Sequence, residues 1–254
     1  MNNYLELLRE FIKTDFKLRY KNSYLGIIWI ILKPLATFSV IYVVWSNIMV
    51  MDADYKMGLL LGIMLMSFFN EGVMMGLGAL MAKSGVILKI KFPREVVVIS
   101  AVTISFIDFL LNMIVFAIFS IFTPVTITFI SFLLFAVSVL TLYILIMALG
   151  LFLSIIFIRL KDIHNLTEVI LQLLFWLTPI YYQLEMLPEN LQKYVLLNPL
   201  TTIVISARKG IITGDTVTSG DFLPIGIIAL ICIALLLIAV AFFKKRVTKL
   251  AEYF

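Results

Sequence analysis

The chain has 254 residues, a formal net charge of +5, 63% hydrophobic and 14% charged residues, and a mean hydropathy of +1.11. Soluble chains carry roughly 45–50% apolar and about 25% charged residues, so this composition excludes a soluble domain and defines an integral membrane protein. The apolar runs exceed the roughly 18 residues that span a hydrocarbon core and do not alternate, which selects α-helices over a β-barrel, and the basic residues cluster at the ends of those runs as topology signals, not as a nucleic-acid surface.

Residues 1–24 begin with a helical pattern. Leu5, Leu8, Ile12 and Phe16 recur every three or four residues, while Arg9, Lys13 and Lys17 form a basic row. This spacing predicts an amphipathic helix in the interface plane, its cations toward anionic membrane lipids. A cleavable signal peptide does not fit the alternating charge of the first twenty residues. The stretch RYKNSYLGIIWIILKPL from Arg19 to Leu35 then carries the chain from water into the bilayer.

Six apolar spans follow, predicted at 26–49, 58–81, 96–122, 129–158, 166–182 and 223–243. Fifteen Lys and Arg residues fall on the side of the N-terminal segment and the 83–94, 159–161 and 244–249 connections, against four on the other side, Lys56, Lys193, Arg208 and Lys209. The positive-inside rule places both termini in the cytoplasm. No repeat of twenty to fifty residues is visible, and a single domain over 1–254 is the economical reading.

Two connections stand out. The cytoplasmic segment 83–94 carries Lys83, Lys89, Lys91 and Arg94 around a short apolar core, and ends at Phe92 and Pro93, so it is predicted to form a protruding helix suited to docking another protein. The outer segment 184–212 is too apolar for a free loop and is broken at Pro188 and at Asn198 and Pro199. Two readings are open for it: two short re-entrant helices that dip into the outer leaflet or cap a cavity, and a hairpin lying on the surface.

Polar groups inside spans carry the functional information, because a charge at the bilayer centre costs at least ~2.5–3.5 kcal/mol. Lys33, two turns into the first span, is expected to snorkel to the cytoplasmic interface. Asn70 and Glu71 lie mid-span in the second run, and Ser105, Asp108 and Asn112 share one face of the third. Glu168, Gln172, Phe175, Pro179 and Tyr182 form one helical stripe on the fifth span, and Phe38, Tyr42 and Trp45 form another on the first. An interfacial aromatic belt is the competing explanation for Tyr42, Trp45, Tyr181 and Tyr182. The two stripes together suit a conduit for hydroxylated ligands such as sugars. Gly58 with Gly62, and Gly72 with Gly76, are G-x-x-x-G pairs that permit close helix approach.

Enzymatic chemistry is not encoded. There is no G-x-x-x-x-G-K-[ST] loop, no H-E-x-x-H, one histidine (His164) and one cysteine (Cys232). The Asp52 and Asp54 pair reads as solvated turn residues, and no cofactor is expected on this chain.

The sequence resembles the membrane subunits of ABC-2-type exporters, in particular the polysaccharide-export permeases. The matching stretches are RYKNSYLGIIWIILKPL, KSGVILKIKFPRE, the R-x-K-D-I from Arg159, the LTPIYY run from Leu177, and NPL at Asn198 followed by Arg208. Lys33 stands where the family usually has Asn, and Lys161 precedes the Asp-Ile that the family usually writes Arg-Asp-Ile. The resemblance implies a homodimeric permease in a bacterial cytoplasmic (inner) membrane, bound to two ABC ATPase subunits that hold the ATP and Mg. It implies that 83–94 is a coupling helix and that 184–212 holds outer gate helices around Pro188, Asn198, Pro199 and Arg208. It further implies that the first and fifth spans line a channel for a lipid-linked glycan through Phe38, Tyr42, Trp45, Glu168, Gln172, Phe175 and Tyr182. O-antigen, a lipopolysaccharide component, is the favoured cargo. Wall teichoic acid and capsular polysaccharide fit the same mechanism, and an ion-coupled transporter using Glu71, Asp108 and Glu168 is the alternative.

Overall fold

The computed structural model describes residues 2–21, 25–47, 53–123 and 125–247. Met49, Asp52, Lys249 and residues 22–24 of the water-to-membrane junction lie outside the described residues.

Ten α-helices account for most of the described chain: α1 (Asn2–Tyr20), α2 (Ile28–Ser46), α3 (Ala53–Ala82), α4 (Ser84–Ile87), α5 (Glu95–Phe122), α6 (Phe129–Arg159), α7 (Ile163–Leu177), α8 (Glu189–Leu196), α9 (Pro199–Ile211) and α10 (Phe222–Val247). Helices satisfy their own backbone groups, the requirement that a bilayer interior imposes. Buried hydroxyls follow the same logic: Ser100, Ser105, Ser138 and Ser154 each donate to a carbonyl three or four residues earlier in their own helix.

Among the described residues, five helices are long and apolar enough to cross a membrane: α2, α3, α5, α6 and α10. The chain is therefore a multi-pass helical membrane protein. The fifth predicted span departs from expectation. Its helix, α7, has 15 residues, about 22 Å at 1.5 Å per residue, short of a ~30 Å hydrocarbon core. It stops at Leu177 because Thr178 is extended (φ −94°, ψ 133°). A residue before proline avoids the helical region, and Pro179 has no N–H to continue the ladder. Thr178 closes the end by donating to the carbonyl of Leu174.

α3 is the centre of the fold, with 78% of its most apolar stretch buried. It packs chiefly against α5 and α6. At Gly76 a methyl group would stand 2.7 Å from the Cα of Gly150 on α6, so two backbones meet there with no room for a side chain. α10 packs on α6 and α9. α2 stands apart: only Ile30 and Pro34 are buried, and the helix runs unbroken through Pro34.

α1 lies against α5, and its covered face is broader than the predicted apolar stripe. Leu5 is 63% exposed, while Leu8, Ile12 and Phe16 of that stripe are partly covered, as are Tyr4, Phe11 and Asp15. That spacing continues to Arg19. The 83–94 segment is not one helix, since only α4 is helical and residues 88–94 form turns and bends. It rests on α1 through the Phe11 and Phe92 rings, 5.5 Å apart, and an ion pair between Lys83 and Asp15.

Candidate functional site

The last turn of α1 reaches two carboxylates inside the helical bundle. Arg19 Nη1 donates to Asp108 Oδ2 of α5 at 2.8 Å, and its Nη2 pairs with Glu71 of α3. Tyr20 donates its hydroxyl to the same Asp108 carboxylate at 3.0 Å. Asp108 is buried, with 2% of its side chain exposed, and a buried carboxylate is held only where it is paired. Burial works against the Arg19 charge, yet Glu71 and Asp108 outweigh it and hold its pKa above the ordinary value. Burial and the Asp108 charge push the Tyr20 hydroxyl up, so at neutral pH it is a hydrogen-bond donor.

These groups wall a cavity of about 610 Å³ between α1, α2, α3 and α5, whose lining also includes Trp29, Lys33, Asn70, Ser105 and Asn112. Lys33, exposed on α2, is part of this lining. Asn112 Nδ2 donates to the carbonyl of Asp108 at 3.0 Å, and its Oδ1 is buried without a partner, as is Oδ1 of Asn70. Glu71 and Asp108 are joined by Arg19, but the third carboxylate of the predicted ion-coupling set is elsewhere. Glu168 is 59% exposed on α7, with His164 Nδ1 3.9 Å away.

Glu168, Gln172 and Phe175 do share a surface, as their spacing requires. With Asn70, Met74, Leu171 and Trp176 they line a groove of about 430 Å³. Asn70 therefore borders both the charged cavity and the α7 groove. Because α7 ends at Leu177, the helical register fails beyond it. Tyr182 faces a different cavity of about 460 Å³ with Asp54, Tyr55 and Arg208, and Pro179 lines that one too. Tyr181 takes the place predicted for Tyr182: its ring lies 6.2 Å from Phe175, 5.1 Å from Trp176 and 5.7 Å from Trp45 at the end of α2. Lower on α2, Phe38 and Tyr42 stack at 5.6 Å, and Lys56 sits 5.7 Å above the Tyr42 ring. The two aromatic stripes thus meet through Tyr181. The sequence marked Tyr181 only as a belt residue; Trp176 was not singled out.

Arg208 of α9 is an anchor with its own geometry. Its Nε donates to Gly58 O at 2.8 Å, Nη1 to Pro179 O at 2.7 Å and Nη2 to Ile180 O at 2.6 Å. One guanidinium thereby ties α9 to the start of α3 and to the break after α7. The Gly58 and Gly62 pair serves this side chain, since a methyl at Gly62 would stand 2.4 Å from Arg208 Nη2. Asn198 caps α9, its Oδ1 accepting from Leu200 N at 3.1 Å, with Pro199 at the first helical position. Its Nδ2 donates to Thr178 Oγ1 at 3.1 Å, again fixing the α7 break. Pro188 precedes α8, a helix with no buried residue, whereas α9 is buried along much of its length.

On the segment 83–94, Lys89 and Lys91 are exposed around Leu88 and Ile90, themselves 53% and 61% exposed. Pro93 is exposed, Phe92 packs on α1, and Arg94 donates to the carbonyl of Val247 at the end of α10. Lys83 is committed to Asp15 and lies 5.8 Å from the Phe11 ring. The six predicted docking residues therefore divide into Lys83, Phe92 and Arg94, which brace the segment, and Lys89, Lys91 and Pro93, which it presents. Among the described residues, no three His, Cys, Asp or Glu side chains gather as a metal site.

Long apolar helices that enclose polar cavities define the class as a multi-pass helical membrane protein. The chain belongs to the ABC-2 type transporter family, whose model matches residues 6–212. It is similar to two proteins of Klebsiella pneumoniae named O-antigen export system permease protein RfbA, 25% and 27% identical over 97% of this chain and 94% of each relative. A protein of the same name from Myxococcus xanthus is 23% identical over 98% of this chain and 95% of its own length. Permeases of this family are transport subunits, not enzymes, and work with ABC ATPase partners.

Proposed function

We propose that this chain is the permease subunit of an ATP-driven exporter that moves a lipid-linked polysaccharide, O-antigen in the first instance, from the cytoplasm to the outer face of a bacterial inner membrane. Two copies line the path and two separate ATPase subunits hold the ATP and Mg, with both termini cytoplasmic. The observation that carries this reading is the groove of Asn70, Glu168, Gln172, Phe175 and Trp176, which leads to the Tyr181 and Trp45 rings. Carboxylates and amides backed by aromatic faces suit a chain of hydroxylated rings. The lining is too exposed to be a closed site in one copy, and α2 beside it has only two buried residues, so a second copy facing it supplies the opposite wall. The names of the relatives support a glycan cargo.

The exposed Leu88 and Ile90, alternating with Lys89 and Lys91, support 83–94 as the ATPase contact. Lys83 pairs with Asp15, one turn before Arg19 on α1, and Arg19 holds the two carboxylates, so movement of that loop reaches the cavity. Pro188, Asn198, Pro199 and Arg208 fit an outer gate whose rigid half is α9 and whose free half is α8. Ion coupling is less well supported, because Glu71 and Asp108 are both paired with Arg19 and Glu168 stands apart.

The test is deletion of the chain in its own host, with complementation. Surface glycan should vanish while the lipid-linked precursor accumulates inside, and ATPase-dead partner subunits should reproduce that phenotype. Unchanged surface glycan, or export that follows the proton gradient and ignores the ATPase, rejects the proposal.

A further inference from the structure

We infer that the cavity between α1, α2, α3 and α5 is a binding site for a neutral, multiply hydroxylated ring, one or two sugar units in size, separate from the α7 groove; this rests on the reading of the cargo as a glycan. Size is the first argument. About 610 Å³ falls within the roughly 300–1,000 Å³ of small-molecule sites.

Hydrogen-bonding capacity is the second. Asn112 is only 5% exposed, and its Oδ1 has no donor although its Nδ2 is satisfied by Asp108 O. Asn70 Oδ1 is also buried and unpartnered. A buried acceptor left unpaired costs about 1–3 kcal/mol, so the cavity is built for a ligand that brings donors. Sugar hydroxyls are such donors, and each also accepts.

Charge is the third argument, and it selects among ligands. Arg19 and Lys33 cancel Glu71 and Asp108, and both carboxylates pair with Arg19. A site for a phosphate needs surplus positive charge, and a site for an ammonium needs the reverse. A formally neutral lining of alternating donors and acceptors favours neither. Trp29, 44% exposed on the cavity wall, adds a flat apolar face of the kind that stacks on the C–H face of a sugar ring. Asn70, shared with the α7 groove, makes this cavity an antechamber to the proposed path.

The chain has three tryptophans, so W45F with W176F leaves Trp29 as the sole indole reporter. The full-length protein in lipid nanodiscs is titrated with glucose, galactose, mannose, rhamnose, N-acetylglucosamine, lactose and cellobiose, and with sodium pyrophosphate and choline chloride at constant ionic strength. The expected result is a saturable change in Trp29 emission with at least one neutral sugar, weakened about tenfold by Asn112→Ala, as loss of one buried hydrogen bond allows. Lys33→Ala, at an exposed position on α2, should weaken it several-fold and keeps the test decisive if Asn112→Ala fails to fold. No saturable response to any sugar leaves a water-filled vestibule and overturns the inference. A stronger response to pyrophosphate or choline, or a sugar response untouched by both variants, also overturns it. Glycan export that is lost on deletion while the cavity ignores sugars removes only this inference; sugar binding here with export unaffected by deletion removes the exporter reading instead.

Discussion

Arg19 Nη1 lies 2.8 Å from Asp108 Oδ2, so a residue at the end of the N-terminal helix is fixed to the interior of α5. Breaking a buried ion pair from one side costs about 3–5 kcal/mol. Arg19 keeps 28% of its side chain exposed, which places Arg19→Ala near the lower end, about 3 kcal/mol. The double variant Arg19→Ala with Asp108→Asn should recover part of that loss. Thermal unfolding of the two variants in one detergent checks the order; equal Tm values for single variant and wild type would refute the pairing.

In the sequence Arg19 counted only as one more cytoplasmic cation. Arg9, Lys13 and Lys17 do form an exposed row, yet Arg19 lies seven residues beyond Ile12 and so on the covered face, with Asp15 four residues before it. A charge placed in an apolar stripe calls for an internal partner, and both Asp15 and Arg19 have one. The long spans were legible because continuous apolar runs leave helix as the main option: α5 and α6 fall within one residue of their predicted ends at both termini. The end of α7 was not, because LTPIYY carries no charge to mark a boundary; Pro179 was the local warning. Asn198 and Pro199 were legible as a helix start. The role of Arg208 was not, because its partners are carbonyls of residues 58, 179 and 180, which no sequence pattern links.

Two glycines on α3 provide a matched comparison. Gly76→Ala forces a methyl to 2.7 Å from the Gly150 backbone, whereas Gly78→Ala meets nothing within 4 Å. Overpacking costs about 1–3 kcal/mol, while an alanine in open space gains up to about 1 kcal/mol of helix propensity. We expect Gly76→Ala to lower Tm and Gly78→Ala to hold or raise it.

Arg208→Lys keeps the charge but replaces a planar fork with a single ammonium. At least one of the Gly58, Pro179 and Ile180 carbonyls then loses its donor, at about 1–3 kcal/mol each. The expected result is a less stable protein with faster proteolysis in the 178–188 segment. Unchanged proteolysis there would show that Arg208 does not hold the α7 break.

Leu88→Asp and Ile90→Asp alter exposed positions, so stability should move by no more than about 0.5 kcal/mol. Both should abolish co-purification of the ATPase subunits while leaving the permease in the membrane. Retained association by both variants would move the ATPase contact elsewhere.

The central claim is that glycan passes along the α7 groove toward Tyr181 and Trp45. A photoreactive amino acid placed at Phe175 or Trp45, with Leu230 on the 69% exposed face of α10 as the reference position, reads this directly in cells making the glycan. Ultraviolet crosslinking should attach glycan to the Phe175 and Trp45 positions, and the adduct should disappear when the ATPase subunits are inactivated. Adducts that form equally at Leu230, or only there, would contradict the assigned path.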